Sequence, residues 1–214
     1  RFSKGYTLQM AYTWSKAMEA TEFLNPSDPM PYESLGGIDR RHRLAGSGQW
    51  ELPFGRQRRW GATWHPLLNF FAGGWQLNGI YQRQSGAPMG FGQALFIGDS
   101  SQIVLPSDQR NADRWFNTDV FDRVTARRLE QNIRTAPLRY SSIRLDSQRR
   151  WDFSLIKCFH LNERMNFQFR AETFNVVNEP VLRGPTTDPY NSAFGRVTAQ
   201  EPPRSWQFSL KLAW

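Results

Sequence analysis

The feature that most constrains the fold is an unbroken alternation at the end of the chain. Trp206, Phe208, Leu210, Leu212 and Trp214 share one parity, and Ser205, Gln207, Ser209, Lys211 and Ala213 share the other. Successive side chains of an extended strand point to opposite faces, so this pattern asks for a β-strand between two unlike environments. A helix would scatter the same five apolar residues around its axis.

Five further segments carry the same period. Tyr6, Leu8, Met10, Tyr12 and Trp14 alternate with Thr7, Gln9, Ala11, Thr13 and Ser15. Leu44, Gly46, Gly48, Trp50 and Leu52 alternate with Arg43, Ala45, Ser47, Gln49 and Glu51. Strands are likewise expected over 74–85, with Ile80 a departure on the polar face, over 151–159 and over 165–175. Between them, 16–39 and 176–203 are rich in proline and read as irregular loops. The stretch 86–150 is Arg-rich and poorly periodic, with one short helix expected over Asp119–Asn132. The fold class expected is all-β, antiparallel and up-and-down.

Composition narrows the setting. The chain has 214 residues, begins at Arg1 and shows no leader, so it reads as a fragment. Hydrophobic residues make up 39% and mean hydropathy is -0.62, with no run near the roughly 20 apolar residues of a membrane-spanning helix. A barrel is compatible, because only every second residue of its strands meets lipid. Aromatics reach 14%, and the net charge of +8 admits nucleic acid, anionic lipid or an anionic ligand as partner. A nucleic-acid surface would interleave bases with aromatics on one face. Here aromatic faces and Arg-rich loops are apart, so no nucleic acid is expected.

Alternation also suits a soluble sheet with one wet face, and spacing separates the two. Tyr6 and Trp14, Trp151 and Phe159, and Trp206 and Trp214 each lie eight residues apart on one parity. Eight steps of about 3.3 Å, tilted by about 40°, give a height of roughly 20 Å, close to the apolar band of an outer-membrane barrel. These residues, with Phe208, Leu210 and Leu212, are the candidate membrane girdle and C-terminal signal. Arg40, Arg83, Arg149 and Arg204 fall at the opposite strand ends from the short turn near 160–164. Guanidinium suits bidentate phosphate contact, so they are candidate contacts to lipopolysaccharide phosphates; simple solvation at strand ends is the alternative. Asp152, Arg170, Glu172 and Lys211 share the polar face and would form either a charged pore wall or a rigidifying network in the lumen.

A series of stretches resembles the C-terminal barrel of TonB-dependent receptors of the Oar-like group, which often carry a carboxypeptidase-regulatory-like domain. They are Asp39-Arg-Arg-His-Arg43, Glu51-Leu-Pro-Phe-Gly55, Gly74-Trp-Gln-Leu-Asn-Gly79 and Gln84-Ser-Gly-Ala-Pro88. Trp115-Phe-Asn-Thr118, Trp151-Asp-Phe-Ser-Leu155 with Lys157, Phe167-Gln-Phe-Arg-Ala-Glu172, Phe174-Asn175 with Asn178, Phe194-Gly195 and the terminal strand complete the order. Arg139-Tyr-Ser-Ser-Ile-Arg144 and Glu179-Pro180 depart from the family's usual pattern.

The resemblance implies a bacterial cell outer membrane location and energised uptake of a ligand through a barrel of about 22 strands. The whole of 1–214 would be its C-terminal part, a transmembrane β-barrel fragment of about six strands, with signal peptide, plug and earlier strands absent and 86–150 as a long outer loop. Partners implied are outer-membrane lipid and lipopolysaccharide, the barrel-assembly machinery that reads the terminal strand, and the TonB complex through the absent N-terminal part. A soluble all-β module binding carbohydrate is the alternative.

His42, His65 and His160 are scattered and Cys158 is single, so neither an enzyme nor a metal or cofactor site is expected. Cys158 reads as a small filler on the lumen side. Register can also be stated in advance, since opposed residues must share a face. Phe159 opposite Met165 across an odd loop, Leu161 to Glu163, would place Lys157 against Phe167, Leu155 against Phe169, Phe153 against Ala171, Ser154 against Arg170 and Asp152 against Glu172. Lys157 would then lie near the periplasmic end with its ammonium reaching water.

Overall fold

The computed structural model describes residues 5–56, 58–127, 133–160 and 165–213. In chain order its strands are β1 (Tyr6–Trp14), β2 (Met18–Glu19), β3 (Ser34–Leu35), β4 (His42–Glu51), β5 (Trp75–Gln84), β6 (Pro88–Met89), β7 (Tyr140–Arg144), β8 (Gln148–His160), β9 (Asn166–Phe174) and β10 (Ser205–Ala213). One α-helix, α1 (Pro66–Ala72), lies between β4 and β5.

The six alternating segments become one antiparallel sheet in the order β1-β4-β5-β8-β9-β10, leaving β1 and β10 as its edges. Each strand bonds to the next long one in sequence, which is the up-and-down arrangement. Register keeps the parities together across the sheet: Tyr6 opposes Trp50, Trp50 opposes Leu77 and Leu77 opposes Leu155. Leu155 then opposes Ala171, and Ala171 opposes Phe208. A slip of one residue anywhere would carry a polar row into this apolar one. The sheet does not close among the described residues.

Between β8 and β9 the facing assignment holds and the register does not. The pairs are Phe159 with Phe167, Lys157 with Phe169, Leu155 with Ala171, Phe153 with Thr173 and Ser154 with Glu172. This is two residues from the expected register, and Ile156 opposes Arg170 in place of Ser154. A shift of two preserves every face, so parity reasoning could not detect it. His160 pairs with Asn166, leaving an odd connection of 161–165, of which 161–164 lie outside the described residues. Asp152 does not face Glu172. It accepts from the backbone N–H of Asn175 at 2.8 Å and from Arg150 Nε at 2.8 Å.

The loops hold more structure than their composition suggested. The described residues of 86–147 fold around a core of Met89, Phe91, Ile103, Trp115, Phe116, Val120, Phe121 and Ile143, joined by Phe194 from the 176–203 connection. Phe116 is fully buried, with Phe91 and Phe194 edge-on at 4.8 and 5.1 Å. Each such ring removed from water contributes about 1.5–3 kcal/mol. The helix expected over Asp119–Asn132 is not formed as such: a 3-10 turn covers Thr125–Arg127, Phe121 bridges Phe96, and 128–132 lie outside the described residues.

Gly86 shows why this cap needs a glycine. A Cβ there would stand 2.0 Å from the carbonyl oxygen of Leu145, so only a bare backbone lets the chain pass after β5. The connection 53–73, long for its side, is explained by α1, which begins with Pro66 after the N-cap His65.

Candidate membrane-facing surface and outer cap

One face of the sheet presents a continuous apolar surface. Tyr6, Leu8, Met10, Tyr12 and Trp14 of β1 are all exposed, as are Trp206, Phe208, Leu210 and Leu212 of β10. Tyr81 packs tilted against Trp151 with ring centres 4.3 Å apart, and Phe169 lies 6.4 Å from Phe208, so rings of neighbouring strands meet on this face. Phe208 is 66% exposed and Leu210 67%. Exposed aromatics and aliphatics repeated along edge and centre exceed what a water-facing surface normally carries. Trp14, Trp151 and Trp206 lie at the long-loop end of their strands, and Tyr6 and Phe159 at the short-loop end. Trp214 lies outside the described residues.

The opposite face is polar. Asn78 Nδ2 donates to Ser154 Oγ at 3.3 Å, and Gln84 Nε2 donates to Gln148 Oε1 at 2.5 Å across paired strands. Of the residues assigned to a lumen network, Arg170 and Glu172 form an ion pair at 3.6 Å. Asp152 belongs instead to the turn after β9, through Asn175, and Lys211 pairs with Gln168 further along β10. Cys158 is on this face, opposite Gln168, and is exposed. No group of three or more potential metal ligands forms among the described residues, and no helix there is long and apolar enough to cross a membrane.

The four arginines lie at the long-loop ends of their strands, in unlike surroundings. Arg83 and Arg149 are direct cross-strand partners, a repulsive juxtaposition by itself. Glu179 relieves it: Arg149 Nε donates to both carboxylate oxygens, at 2.9 and 2.6 Å. The hydrogen bond from Arg149, outweighing partial burial, together with the charges of Arg149 and Arg83, holds the Glu179 carboxyl below its ordinary pKa. Arg40 donates to the carbonyls of Gly37 and Asp39 at 3.1 and 2.9 Å. Arg204 donates to the Val176 carbonyl at 3.3 Å.

The residues that organise the cap were invisible as a pattern. Asp39, 1% exposed, accepts from the Ala17 N–H at 2.8 Å and from Arg144 at 2.6 Å, so it ties the 16–41 connection to the 86–147 one. Burial works to raise its pKa, but these hydrogen bonds and the charges of Arg144 and Arg41 prevail and lower it. Arg144 also donates to the Gly86 carbonyl at 3.0 Å, and its own carbonyl accepts from Trp115 Nε1 at 3.1 Å. Arg139 reaches Glu19 at 2.7 Å and Glu22 at 2.6 Å. These partners lie more than a hundred positions apart, which sequence spacing cannot report.

Asn175 and Asn178 adopt φ of 52° and 53°, the left-handed region that asparagine tolerates better than most residues. Asn175 Oδ1 accepts from the Glu179 N–H at 3.0 Å, and Asn178 Oδ1 accepts from the Arg204 N–H at 2.9 Å. The pair therefore turns the chain out of β9 and anchors the approach to β10.

Lys157 differs from expectation. It is buried, opposite Trp75 and Phe169, and its ammonium donates to the Gly73 carbonyl after α1 rather than reaching water. A cation at the carbonyl end of a helix meets unpaired acceptors and the negative end of the helix dipole.

Comparison with curated proteins and with solved structures gave no match. The model of the outer membrane beta barrel domain family matches residues 1–207. The chain belongs to that family, whose membership carries a bacterial outer-membrane location with it.

Proposed function

From that membership we propose that the chain forms part of the wall of a TonB-dependent receptor of the Oar-like group. Its six long strands would be the last of about 22. The observation that carries the wall is the apolar face kept in register from Tyr6 through Trp50, Leu77, Leu155 and Ala171 to Phe208. A soluble carbohydrate-binding module would bury such a row against a second layer. The receptor subtype is supported by the ordered motif series, whose members sit at the turns and packing points that shape the sheet and cap. Asp39, Gly86, Trp115, Asn175, Asn178 and Phe194 each do so.

In this reading the plug and the TonB-binding segment lie N-terminal to Arg1, and the chain contributes passage and not a reaction. The polar face, with Arg170 and Glu172, lines the pathway. Arg40, Arg83, Arg149 and Arg204 meet lipopolysaccharide phosphates, with Arg149 shared between phosphate and Glu179. The terminal strand is the part handed to the barrel-assembly machinery.

The coding sequence upstream of Arg1 tests the proposal. A plug, a TonB-interacting segment and about sixteen further strands are expected there. A reading frame beginning near Arg1 overturns the transporter reading while leaving the family intact.

A further inference from the structure

The connection 53–73 is more highly built than a turn between two strands requires. The Arg56 N–H donates to Asn69 Oδ1 at 2.6 Å, and Arg58 pairs with Glu51 at 2.8 Å. Gly55 has φ of 118°, and a Cβ there would stand 2.9 Å from Gly73 Cα, so the two ends of the segment are in close contact. Phe54 and Trp60 pack at 5.3 Å between ring centres.

This unit is clamped to one side of the sheet. Phe70 lies 4.9 Å from Phe159, Trp75 Nε1 donates to the Phe71 carbonyl at 2.9 Å, and Lys157 holds the Gly73 carbonyl. Phe159, Trp75 and Lys157 all have the parity of the apolar face. The helix therefore lies against the lipid side of the wall and not in the lumen.

The surface it turns away from the sheet is apolar. Leu67 and Phe71, four residues apart and so on one helix face, are 64% and 61% exposed, with Leu68 beside them and Trp60 half-exposed. Arg56, Arg58 and Arg59 of the same connection are exposed, and Arg59 lies over the Trp60 ring at 5.5 Å. A seven-residue helix is far too short to span a bilayer. Apolar side chains bordered by Trp and Arg are instead the composition of a segment lying in the headgroup boundary. Its place is at the end of the sheet opposite the long loops, which in an outer-membrane barrel is the periplasmic leaflet.

We propose that residues 54–56 and 58–72 form an interfacial anchor on the phospholipid of the periplasmic leaflet. Leu67, Leu68 and Phe71 enter the acyl boundary, and Arg56 and Arg59 meet headgroup phosphates. The anchor braces the barrel wall at the level of Phe159 and fixes how deeply β5 and β8 sit. This rests on the outer-membrane barrel reading, and its test keeps the two apart.

In the complete outer-membrane protein, with Cys158→Ser as background, single cysteines replace Leu67, Phe71 or, on the terminal strand, Phe208, and carry an environment-sensitive fluorophore. The protein is reconstituted in phosphatidylethanolamine and phosphatidylglycerol bilayers. At 67 and 71 a blue-shifted emission is expected, with loss of signal when the lipid is brominated near the glycerol and no loss with aqueous iodide. Loss with iodide at both positions, or no loss with either quencher, overturns the anchor, the second result meaning that protein covers the patch. If 208 responds to acyl-chain bromine in the same samples, the barrel reading stands and the anchor alone fails. If 208 also responds only to iodide, the barrel reading itself has failed.

Discussion

At the residue scale, a few buried polar contacts decide the shape of the cap. Asp39 and Arg144 are 1% and 15% exposed at their side chains and carry contacts to Ala17, Gly86 and Trp115. Replacing Arg144 by Met strands a buried carboxylate, and the expected loss is about 3 kcal/mol. It is read as faster proteolysis and hydrogen exchange across 86–147 in the complete protein, with the long strands unaffected. Adding Asp39→Asn removes the stranded charge and should recover part of the loss. The same pair sets a pH response. Because the Asp39 pKa is lowered in the folded chain, its contribution is present above the ordinary carboxylate value of about 3.9 and is lost as pH falls through the lowered one. Exchange in the cap should therefore rise in acid more steeply in the wild type than in Asp39→Asn. Asn178 makes a separate demand: Asn178→Ala costs about 1–2 kcal/mol in the left-handed region and releases the Arg204 N–H. Asn178→Gly should restore the backbone and not the hydrogen bond, which a comparison of thermal midpoints separates.

At the element scale, register is the property most open to test. β8 and β9 set Leu155 directly across from Ala171, and Lys157 across from Phe169. Directly opposed positions have Cα atoms about 4.5–5.5 Å apart, within disulfide reach, whereas the diagonal is longer. In a Cys158→Ser background, Leu155→Cys with Ala171→Cys should cross-link on mild oxidation. Leu155→Cys with Phe169→Cys should not, and the reverse outcome would favour the register inferred from the sequence. Trp75 opposes Lys157 on the other side, and the Lys157 ammonium is used by the carbonyl end of α1. A helix on the β5 side thus bears on a hairpin formed by β8 and β9. Gly86 belongs to the same scale, since Gly86→Ala pushes a methyl against the Leu145 carbonyl. The expected cost is about 1–3 kcal/mol, read as weakened protection of β6 and β7.

At the scale of the whole molecule, two unlike parts are joined. The sheet has an apolar face and a polar face with little burial on either, and its edges β1 and β10 are open. Open edges in lipid leave backbone groups unpaired at a cost of several kcal/mol each, so in the proposed wall these edges pair with further strands. The isolated 214-residue chain should remain detergent-dependent and lack the heat-sensitive gel mobility of a closed barrel. The complete protein should show it. A soluble, monodisperse isolated chain would contradict this account. The cap, by contrast, has its own aromatic core and its own ion pairs, so its folding depends on water and not on lipid. Chemical denaturation followed at Trp115 should therefore melt the cap at lower denaturant than the sheet of the complete barrel.

The sequence alone determined the six long strands, their faces and their order of pairing. Period two is a local property, and an antiparallel meander joins neighbours whose alternation is already visible in residues such as Trp206 to Leu212. It also determined which aromatics share the apolar face. Only the tertiary structure decided the register of β8 on β9, because a slip of two leaves every face unchanged. It alone placed α1 on the apolar face, since seven residues after His65 carry too few turns for a period to register. And it alone assembled the cap, where Asp39 meets Arg144 and Phe116 meets Phe194 across long separations. Such contacts follow from packing in three dimensions, which no spacing along the chain encodes.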